Sequence, residues 1–391
     1  MRTATLGQVA TWGSGGTPSR SRAEYFGTGT PWLSISDLND GLVVHAKESL
    51  TALGVENSSA KIVPAGTLFV AMYGSIGKLG IAGREMCTSQ AIAFARPRPE
   101  YVDARYLFHY LLSQRRALES RGRGGTQRNI GQGDLKAWPI PLPSLQEQRR
   151  IAAILDQADA LRAKRRRSLA LLDDLIQAAF LRTFGDPGTW PELWPMGTIG
   201  DTVESVTYGS SAKAGAVGEW PILRMGNLTM TGRLELQDLK YLDLSDKDVP
   251  KHTVRRGDLL FNRTNSPELV GKSAVVRTDI PLAYAGYLIR LRTTEQHTTE
   301  YLSGYLNSRH GKAVLRGMNK AIIGQANINA KELQAIRIAL PPLALQQSWS
   351  RKVAAIEAER SHLEVGLTVI DELFTSLQSR AFSGELTLSA S

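Results

Sequence analysis

The chain has 391 residues, 42% hydrophobic, 21% charged and 7% aromatic, and its 47 Lys and Arg against 37 Asp and Glu leave a net charge of +10. This length supports two or three domains with cores of their own, and the apolar content excludes a disordered chain. The single cysteine, Cys87, excludes a disulfide framework and a four-cysteine zinc site, and no run of 18 apolar residues is present to cross a membrane.

Residues 1–145 are rich in Gly, Pro and short apolar runs. Thr67–Met72 and Ala91–Ala95 read as strands and Tyr106–Ser113 as a helix, which predicts a mixed α/β domain with long loops. Residues 146–190 hold a long helix. Between Gln146 and Phe184, positions 151, 154, 158, 161, 165, 168, 172, 175 and 179 alternate steps of three and four, mostly apolar but with Arg165 and Ser168 on the stripe. Residues 191–343 repeat the first texture, with strands expected at Asp258–Phe261 and Tyr287–Leu291. Asn329 followed by Glu332 has the spacing of a helix cap with its capping box. Residues 344–391 hold a second long helix, with the same stepping at 349, 353, 356, 360, 363, 367, 370, 374, 377 and 381, interrupted only by Arg360. Pro143 precedes the first helix, Pro341 and Pro342 the second, and Gly185 and Gly384 follow them. Such stepping is the seam of a coiled coil. Nearly forty residues at ~1.5 Å rise would span roughly 58 Å. The alternative is two separate amphipathic helices, each lying on its own domain. The length favours pairing, because a helix of this size overhangs a domain of this size.

The first half recurs in the second. Asn129-Ile130 returns as Asn327-Ile328, and Ile140, Leu142 and Pro143 return as Ile338, Leu340 and Pro341, all 198 residues later. Asp173, Leu175 and Phe184 recur as Asp371, Leu373 and Phe382 at the same interval. Upstream the interval drifts: Arg121-Gly122 pairs with Arg316-Gly317 and Tyr106-Leu107 with Tyr301-Leu302 at 195, and Gly77-Lys78 with Gly271-Lys272 at 194. Drift confined to the first part of each unit means loops of changed length. The expected fold class is therefore α+β: two similar mixed α/β domains separated by two long antiparallel helices forming a coiled coil, with an internal pseudo-twofold.

Net charge is +6 over residues 1–145, +2 over 146–190, +4 over 191–343 and −2 over 344–391. Positive charge on the two domains suits an anionic partner such as nucleic acid, and solubilising surface Lys and Arg would look similar. The lone thiol, with a start (Met1–Gly16) that lacks the apolar stretch of a secretory signal, predicts a cytoplasmic protein.

Catalytic constellations are missing. There is no His-Glu-x-x-His, Gly-x-Ser-x-Gly or Cys-x-x-Cys, and the histidines at 45, 109, 252, 297, 310 and 362 form no close-spaced ligand set, so no metal is expected. Gly271-Lys272-Ser273 mimics a phosphate-binding loop, but Ser266 stands where that loop needs its first glycine and Pro267 interrupts it. Gly13–Gly16 fails as a dinucleotide fingerprint at Pro18.

Donor-rich loops stand out instead. The first, Gly13–Arg22, offers Ser14, Thr17, Ser19, Arg20 and Arg22, and its counterpart offers Ser210 and Lys213. The second offers Tyr73, Ser75 and Lys78, and its counterpart Asn262, Arg263, Thr264, Asn265 and Lys272. The third offers Arg121, Arg123 and Gln127, matched by Arg316 and Lys320. Matching framework with differing polar loops is what reading two different base sequences requires, since Arg pairs with guanine and Asn or Gln with adenine. Bland readings stand beside these. Gly13–Gly16 reads equally as an ordinary turn, Asn129 and Asn327 read better as helix caps, Asp37 and Asn227 as framework, and Lys164–Arg167 as a solvated helix face.

Several motifs together carry a family resemblance: Gly15-Gly16-Thr17-Pro18-Ser19, Pro31-Trp32, Pro64–Leu68, Gly77-Lys78, Gly125-Thr126-Gln127 with Asn129-Ile130, and Pro141–Pro143 with Leu145 and Glu147-Gln148. In this order, with the duplication and the long helices, the chain resembles the specificity subunit of type I restriction–modification systems. The resemblance implies two target-recognition domains, each reading one half of a split double-stranded DNA site. It also implies two methyltransferase (modification) subunits docked on the helices, with restriction subunits joining them. S-adenosylmethionine, ATP and Mg would belong to those partners and none to this chain. The second half departs from the pattern, lacking Gly-Gly-Thr-Pro-Ser near Ser210 and carrying Gln346-Gln347 in place of Glu-Gln.

Leu155, Leu169 and Ile176 flank the first seam and broaden its apolar stripe, which marks them as partner-docking residues; burial against the chain's own domains is the competing account. Two other functions remain open from the residues alone: a DNA-modifying enzyme with unrecognised catalytic residues, and a coiled-coil scaffold without DNA binding.

Overall fold

The computed structural model describes residues 2–123, 128–318 and 326–386. Two compact units divide the chain. One is built on the residues up to Lys164 and those from Gly366, the other on Arg165–Val365.

In the first unit the apolar runs form a five-stranded sheet in the order Ala10–Ser14, Ile92–Pro97, Leu68–Ala71, Leu79–Ala82, Leu42–Val43. Its central strand, Leu68–Ala71, is buried throughout, which is why it reads as an unbroken apolar run rather than an alternation. A second sheet joins Glu48–Leu50, Phe26–Leu33 and Cys87–Thr88, and Arg2–Thr5 pairs with Pro139–Leu142. The helix Ala104–Ser113 starts on Asp103, whose carboxylate accepts from the Arg105 and Tyr106 amides.

The second unit repeats this plan. One four-stranded sheet runs Val203–Tyr208, Leu288–Thr293, Leu259–Asn262, Ser273–Val275, and another runs Lys240–Leu242, Trp220–Leu223, Leu282–Tyr284, Thr253–Val254. Met196–Thr198 pairs with Arg337–Ala339, as Arg2–Thr5 does with Pro139–Leu142. The expected strands and the helix at Tyr106–Ser113 are all present within two residues at either end.

The duplication extends to individual bonds. The Tyr106 hydroxyl donates to the Pro141 carbonyl and the Tyr301 hydroxyl to Ala339, both at 2.8 Å. Tyr110 and Tyr305 donate in the same way to Pro139 and Arg337. Gln148 accepts from the Asp103 amide at 2.9 Å and donates to Pro143, and Gln346 accepts from Thr298 at 3.0 Å and donates to Pro341. Gln346 is therefore the true partner of Gln148, so the Glu-Gln pair is not simply replaced by Gln346-Gln347. Arg121 and Arg316 are also not equivalent. Buried Leu118 corresponds to buried Leu315, and Arg115, which donates to the Gly77 carbonyl, corresponds to Lys312, which donates to that of Gly271. The helix Arg309–Gly317 is nine residues where Arg115–Arg121 is seven, so the interval here is 197.

The long helices run Leu145–Phe184 and Leu343–Ser383. In the first unit they pair antiparallel: Arg150 donates to the Leu386 carbonyl and Arg162 to Asp371, each at 2.5 Å. In the second unit Arg360 donates to Asp173 at 2.5 Å and Lys352 to Thr183 at 3.0 Å. Arg360, a seam position, is buried and balanced there by Asp173 and Glu357.

Every seam position expected on the second helix is buried or half-buried. On the first helix the expectation needs correcting. Leu161 and Leu175 are 55% and 48% exposed, whereas Leu155 and Phe180 are wholly buried. The inward stripe is turned by about one residue, because this helix must also cover the domain cores beside it. Docking through Leu155 is thereby contradicted, since its side chain lies in the core formed with Tyr106, Leu107 and Ile151. Ile176 packs against the second unit's core, and Leu169 is half-buried with its carbonyl accepting from Arg360.

Candidate nucleic-acid interface

In each unit the loop after the central strand is brought against the Asn-Ile segment. In the first unit Gly74 donates to the Arg128 carbonyl at 3.2 Å and Ile130 to that of Met72 at 2.9 Å. In the second, Thr264–Asn265 pairs with Ala326–Asn327, and the Thr264 hydroxyl donates to the Asn327 side-chain carbonyl at 3.1 Å. Asn129 and Asn327 are consequently not helix caps. The caps lie two residues on, at Gly131 and Asn329, and Asn329 makes the predicted capping box with Glu332. The juxtaposition leaves Tyr73, Ser75, Arg121, Arg123, Arg128 and Asn129 exposed on the first unit. Arg121 sits 4.9 Å above the Trp138 ring, which steadies its guanidinium without occupying its donors. Gln127 and Lys320 lie outside the described residues.

The glycine-rich first loop is chiefly an anchor. The Gly16 amide donates to Thr88 and the Trp32 indole to the Gly16 carbonyl, both at 2.9 Å. A Cβ on Gly15 would collide with the Thr88 backbone. Ser210 takes the Gly16 role, donating to Tyr284 at 2.8 Å; it is buried and its hydroxyl accepts from the Ala212 amide, which corrects its expected DNA contact. Ser14 ends a strand, Thr17 is half-buried, and Ser19 bonds Ser21.

Arg20 is also corrected. Its fork is closed on Glu48 at 2.5 and 2.8 Å while it stacks on Phe26 and Trp32. Hydrogen bonding to Glu48 raises the Arg20 pKa and lowers that of the carboxyl. Arg22 faces Glu24 at 3.4 Å. Lys78 is half-buried and donates to the Ile35 carbonyl. Asn262 is wholly buried and accepts from the Thr264 amide, so it reads no base, and Asn265 accepts from the Ser266 amide. Asp37 and Asn227 are framework as expected, closing matching short turns on the Ser34 and Arg224 amides.

Arg263 and Lys213 line a concavity of about 1010 Å³ in the second unit, with Arg224, Lys240, Gln237 and Tyr287 also on its wall. Arg263 stacks on Tyr208 at 5.0 Å. The last four wall residues escaped the sequence reading. Their only signal was that Arg224 stands at the repeat position of Ser34, where the framework keeps its turn and changes its side chain. Among the described residues no cluster of metal-binding side chains occurs, and no helix is long and apolar enough to cross a membrane.

Two mixed α/β domains of one plan, each presenting a polar loop edge and each carrying part of an antiparallel helix pair, define a class of duplicated two-domain proteins. The type I restriction modification DNA specificity domain matches residues 1–170. The EcoKI specificity subunit of Escherichia coli (strain K12) is 27% identical over 313 residues, covering 74% of this chain and 67% of that protein. The StySPI specificity subunit of Salmonella potsdam is 25% identical over 354 residues, covering 84% and 76%. Solved structures share the fold: one from a type I restriction–modification assembly at TM-score 0.57, 19% identity and 98% coverage of both chains, and the S subunit from M. genitalium at 0.56, 15%, 97% and 96%. Over most of its length the chain is thus similar to the specificity subunits of type I restriction–modification systems.

Proposed function

We propose that this chain recognises a bipartite double-stranded DNA site, each unit reading one half, as the non-catalytic subunit of a restriction–modification complex. The observation that carries the reading is the repeated pairing of the Asn-Ile segment with the loop after the central strand. It presents Tyr73, Ser75 and Arg123 in one unit and Arg263, Thr264 and Asn327 in the other on matching frameworks. Backbone positioning falls to exposed Arg and Lys, and base reading to the side chains that differ. Two modification subunits dock on the helices, and restriction subunits join through them. S-adenosylmethionine, ATP and Mg are supplied with those partners in the cytoplasm. The docking residues are exposed and apolar in each unit: Leu161, Val369 and Leu373 in the first, and Leu171 and Leu175 in the second.

Duplex binding by the complex assembled with a modification subunit tests the reading. Affinity falls steeply with salt and one asymmetric split sequence is preferred. Exchanging residues 1–145 for another such domain changes one half-site alone. Binding without salt dependence or sequence preference rejects the proposal, and methylation by the purified single chain would make it an enzyme instead.

A further inference from the structure

The turn Gly271-Lys272 of the second unit carries an unusual charge arrangement. Gly271 has φ +80°, so the turn needs glycine, and its carbonyl accepts from the Lys312 ammonium at 2.8 Å. The Lys312 side chain is half-buried, and this neutral carbonyl is its one hydrogen-bond acceptor among the described residues. Burial pushes its pKa down to about 8, and the nearby Lys272 and Arg316 push it further in the same direction. No carboxylate offsets the three cations among the described residues.

The first unit supplies an internal control. Gly77 has φ +76° and its carbonyl accepts from Arg115 at 3.0 Å, the same arrangement. There the cation is paired with Asp40, which sits at φ +58° against Leu79. In the second unit the place against Ser273 is held by Gly232, also at positive φ and without a carboxylate. At the helix position of Arg316 the first unit has Glu119. Arg115 is thus balanced by Asp40, and the first unit carries Glu119 one helical turn on, whereas Lys312 faces Lys272 and Arg316. Like charges gathered in a partly desolvated place raise the free energy of the empty protein, and an anion bound there relieves it.

We infer that Lys272, Lys312 and Arg316 form a seat for one phosphate of the nucleic-acid backbone, present in the second unit and neutralised in the first. The seat lies directly behind the candidate reading loop: the Asn262 amide donates to the Lys272 carbonyl at 2.8 Å and the Gly271 amide to the Asn262 carbonyl at 2.9 Å. A phosphate held there fixes the register of Arg263 and Thr264 on the duplex. The inference rests on the DNA-binding reading above.

The test measures binding of the full chain, with its modification subunit, to a labelled duplex of arbitrary sequence over a series of KCl concentrations. Each phosphate contact contributes about 0.9 to the slope of log affinity against log salt. Lys272→Gln lowers the slope by about one contact and weakens all sequences alike. Arg316→Glu, which restores the first unit's residue at an exposed position, weakens binding more than Arg316→Gln. Glu119→Gln in the first unit does not weaken binding. Lys312→Met removes the half-buried charge, and the Lys272 and Arg316 variants keep the test intact should it fold poorly. A steep slope in the parent that none of the Lys272, Lys312 and Arg316 variants alters overturns the seat and leaves the DNA reading standing. A parent that binds no duplex overturns both. Inorganic phosphate replacing chloride at constant ionic strength should not displace the duplex. Displacement from the parent but not from Lys272→Gln would make the seat one for free phosphate and overturn the inference.

Discussion

The two units grip the helix pair with opposite chemistries. In the second, the helix Thr299–Asn307 lies on an aromatic cluster: Phe184 and Tyr301 are 4.8 Å apart, Phe180 and Trp349 5.4 Å, and Trp190 and Tyr305 5.3 Å. Gly304 makes room for it, because a Cβ there would fall 2.6 Å from the Phe180 ring. The first unit has His109 at the corresponding position, wholly buried, with its Nε2 2.7 Å from Asp156 of the first long helix. Arg105 pairs with the same carboxylate, and Phe374 meets the His109 ring at 6.2 Å. Among the described residues one aromatic contact is common to both joints: Phe382 packs on Tyr106 and Phe184 on Tyr301. One fold therefore tolerates either a dry joint or a charged one, provided that the tyrosine-to-carbonyl bonds behind it are kept. The dry joint draws its strength mainly from buried area, whereas the charged joint depends more on protonation.

The largest effect is expected in the dry joint. Phe180→Ala removes a wholly buried ring from the centre of the cluster and should cost about 3–5 kcal/mol in urea denaturation. A loss below about 1 kcal/mol would show that the aromatic joint does not hold the second unit together. Asp156→Ala in the charged joint leaves Arg105 and buried His109 without their partner. Since Asp156 is about one-third exposed, the expected loss is smaller, about 1–2 kcal/mol.

Protonation sharpens the contrast. Burial holds the His109 imidazole below its ordinary 6.5, outweighing the pull of Asp156. The unfolded chain takes up a proton near that pH that the folded unit refuses, so stability falls as pH drops below about 6.5. Asp156 adds a second loss in stronger acid. Burial, the largest influence on it, pushes its pKa up, yet Arg105 and His109 together hold it below the ordinary carboxylate value. Its contribution is present above about pH 4 and fades as pH falls further. His297, also lowered by burial, adds a slope of the same sign in the second unit. The readout is therefore the difference between parent and His109→Gln in unfolding midpoint between neutral pH and about pH 5.5. The variant should lose less stability than the parent, and an identical drop in both would remove His109 from the account.

The wiring common to both units was the part most legible in the sequence. Tyr106 and Tyr301, Ile140 and Ile338, Gln148 and Gln346 recur because each is buried and bonded to matching backbone, so neither copy could change freely. The second helix's seam was equally legible, since one periodic stripe met one demand. The first helix answers to two neighbours, and its stripe at Leu161 and Leu175 was misread for that reason. The candidate site was less legible still. Arg20 finds Glu48 across 28 residues of chain and Asn262 vanishes into a sheet, and neither outcome leaves a local signature. Arg115 and Lys312 look unalike in the sequence, and only their shared grip on a glycine carbonyl makes them equivalent.

The common wiring itself should respond alike in the two units. Tyr106→Phe and Tyr301→Phe each remove one hydroxyl and leave a buried carbonyl unsatisfied, at about 1–2 kcal/mol apiece. Losses differing by more than about 1 kcal/mol would mean that the joint chemistry, not the shared bond, sets the stability of each unit.

The smallest change in stability carries the sharpest functional contrast. Leu161 and Leu175 point to solvent, while Leu155 on the same helix is wholly buried. Leu161→Ser with Leu175→Ser should leave the unfolding midpoint within about 0.5 kcal/mol of the parent, as surface positions do. Leu155→Ala should instead cost about 2–5 kcal/mol. If the exposed leucines are where a modification subunit docks, the double variant, folded and stable, no longer retains that subunit through size-exclusion chromatography. A double variant that both keeps its stability and still co-elutes with the subunit places docking elsewhere on the helix pair, with Val369 and Leu373 the next positions to change.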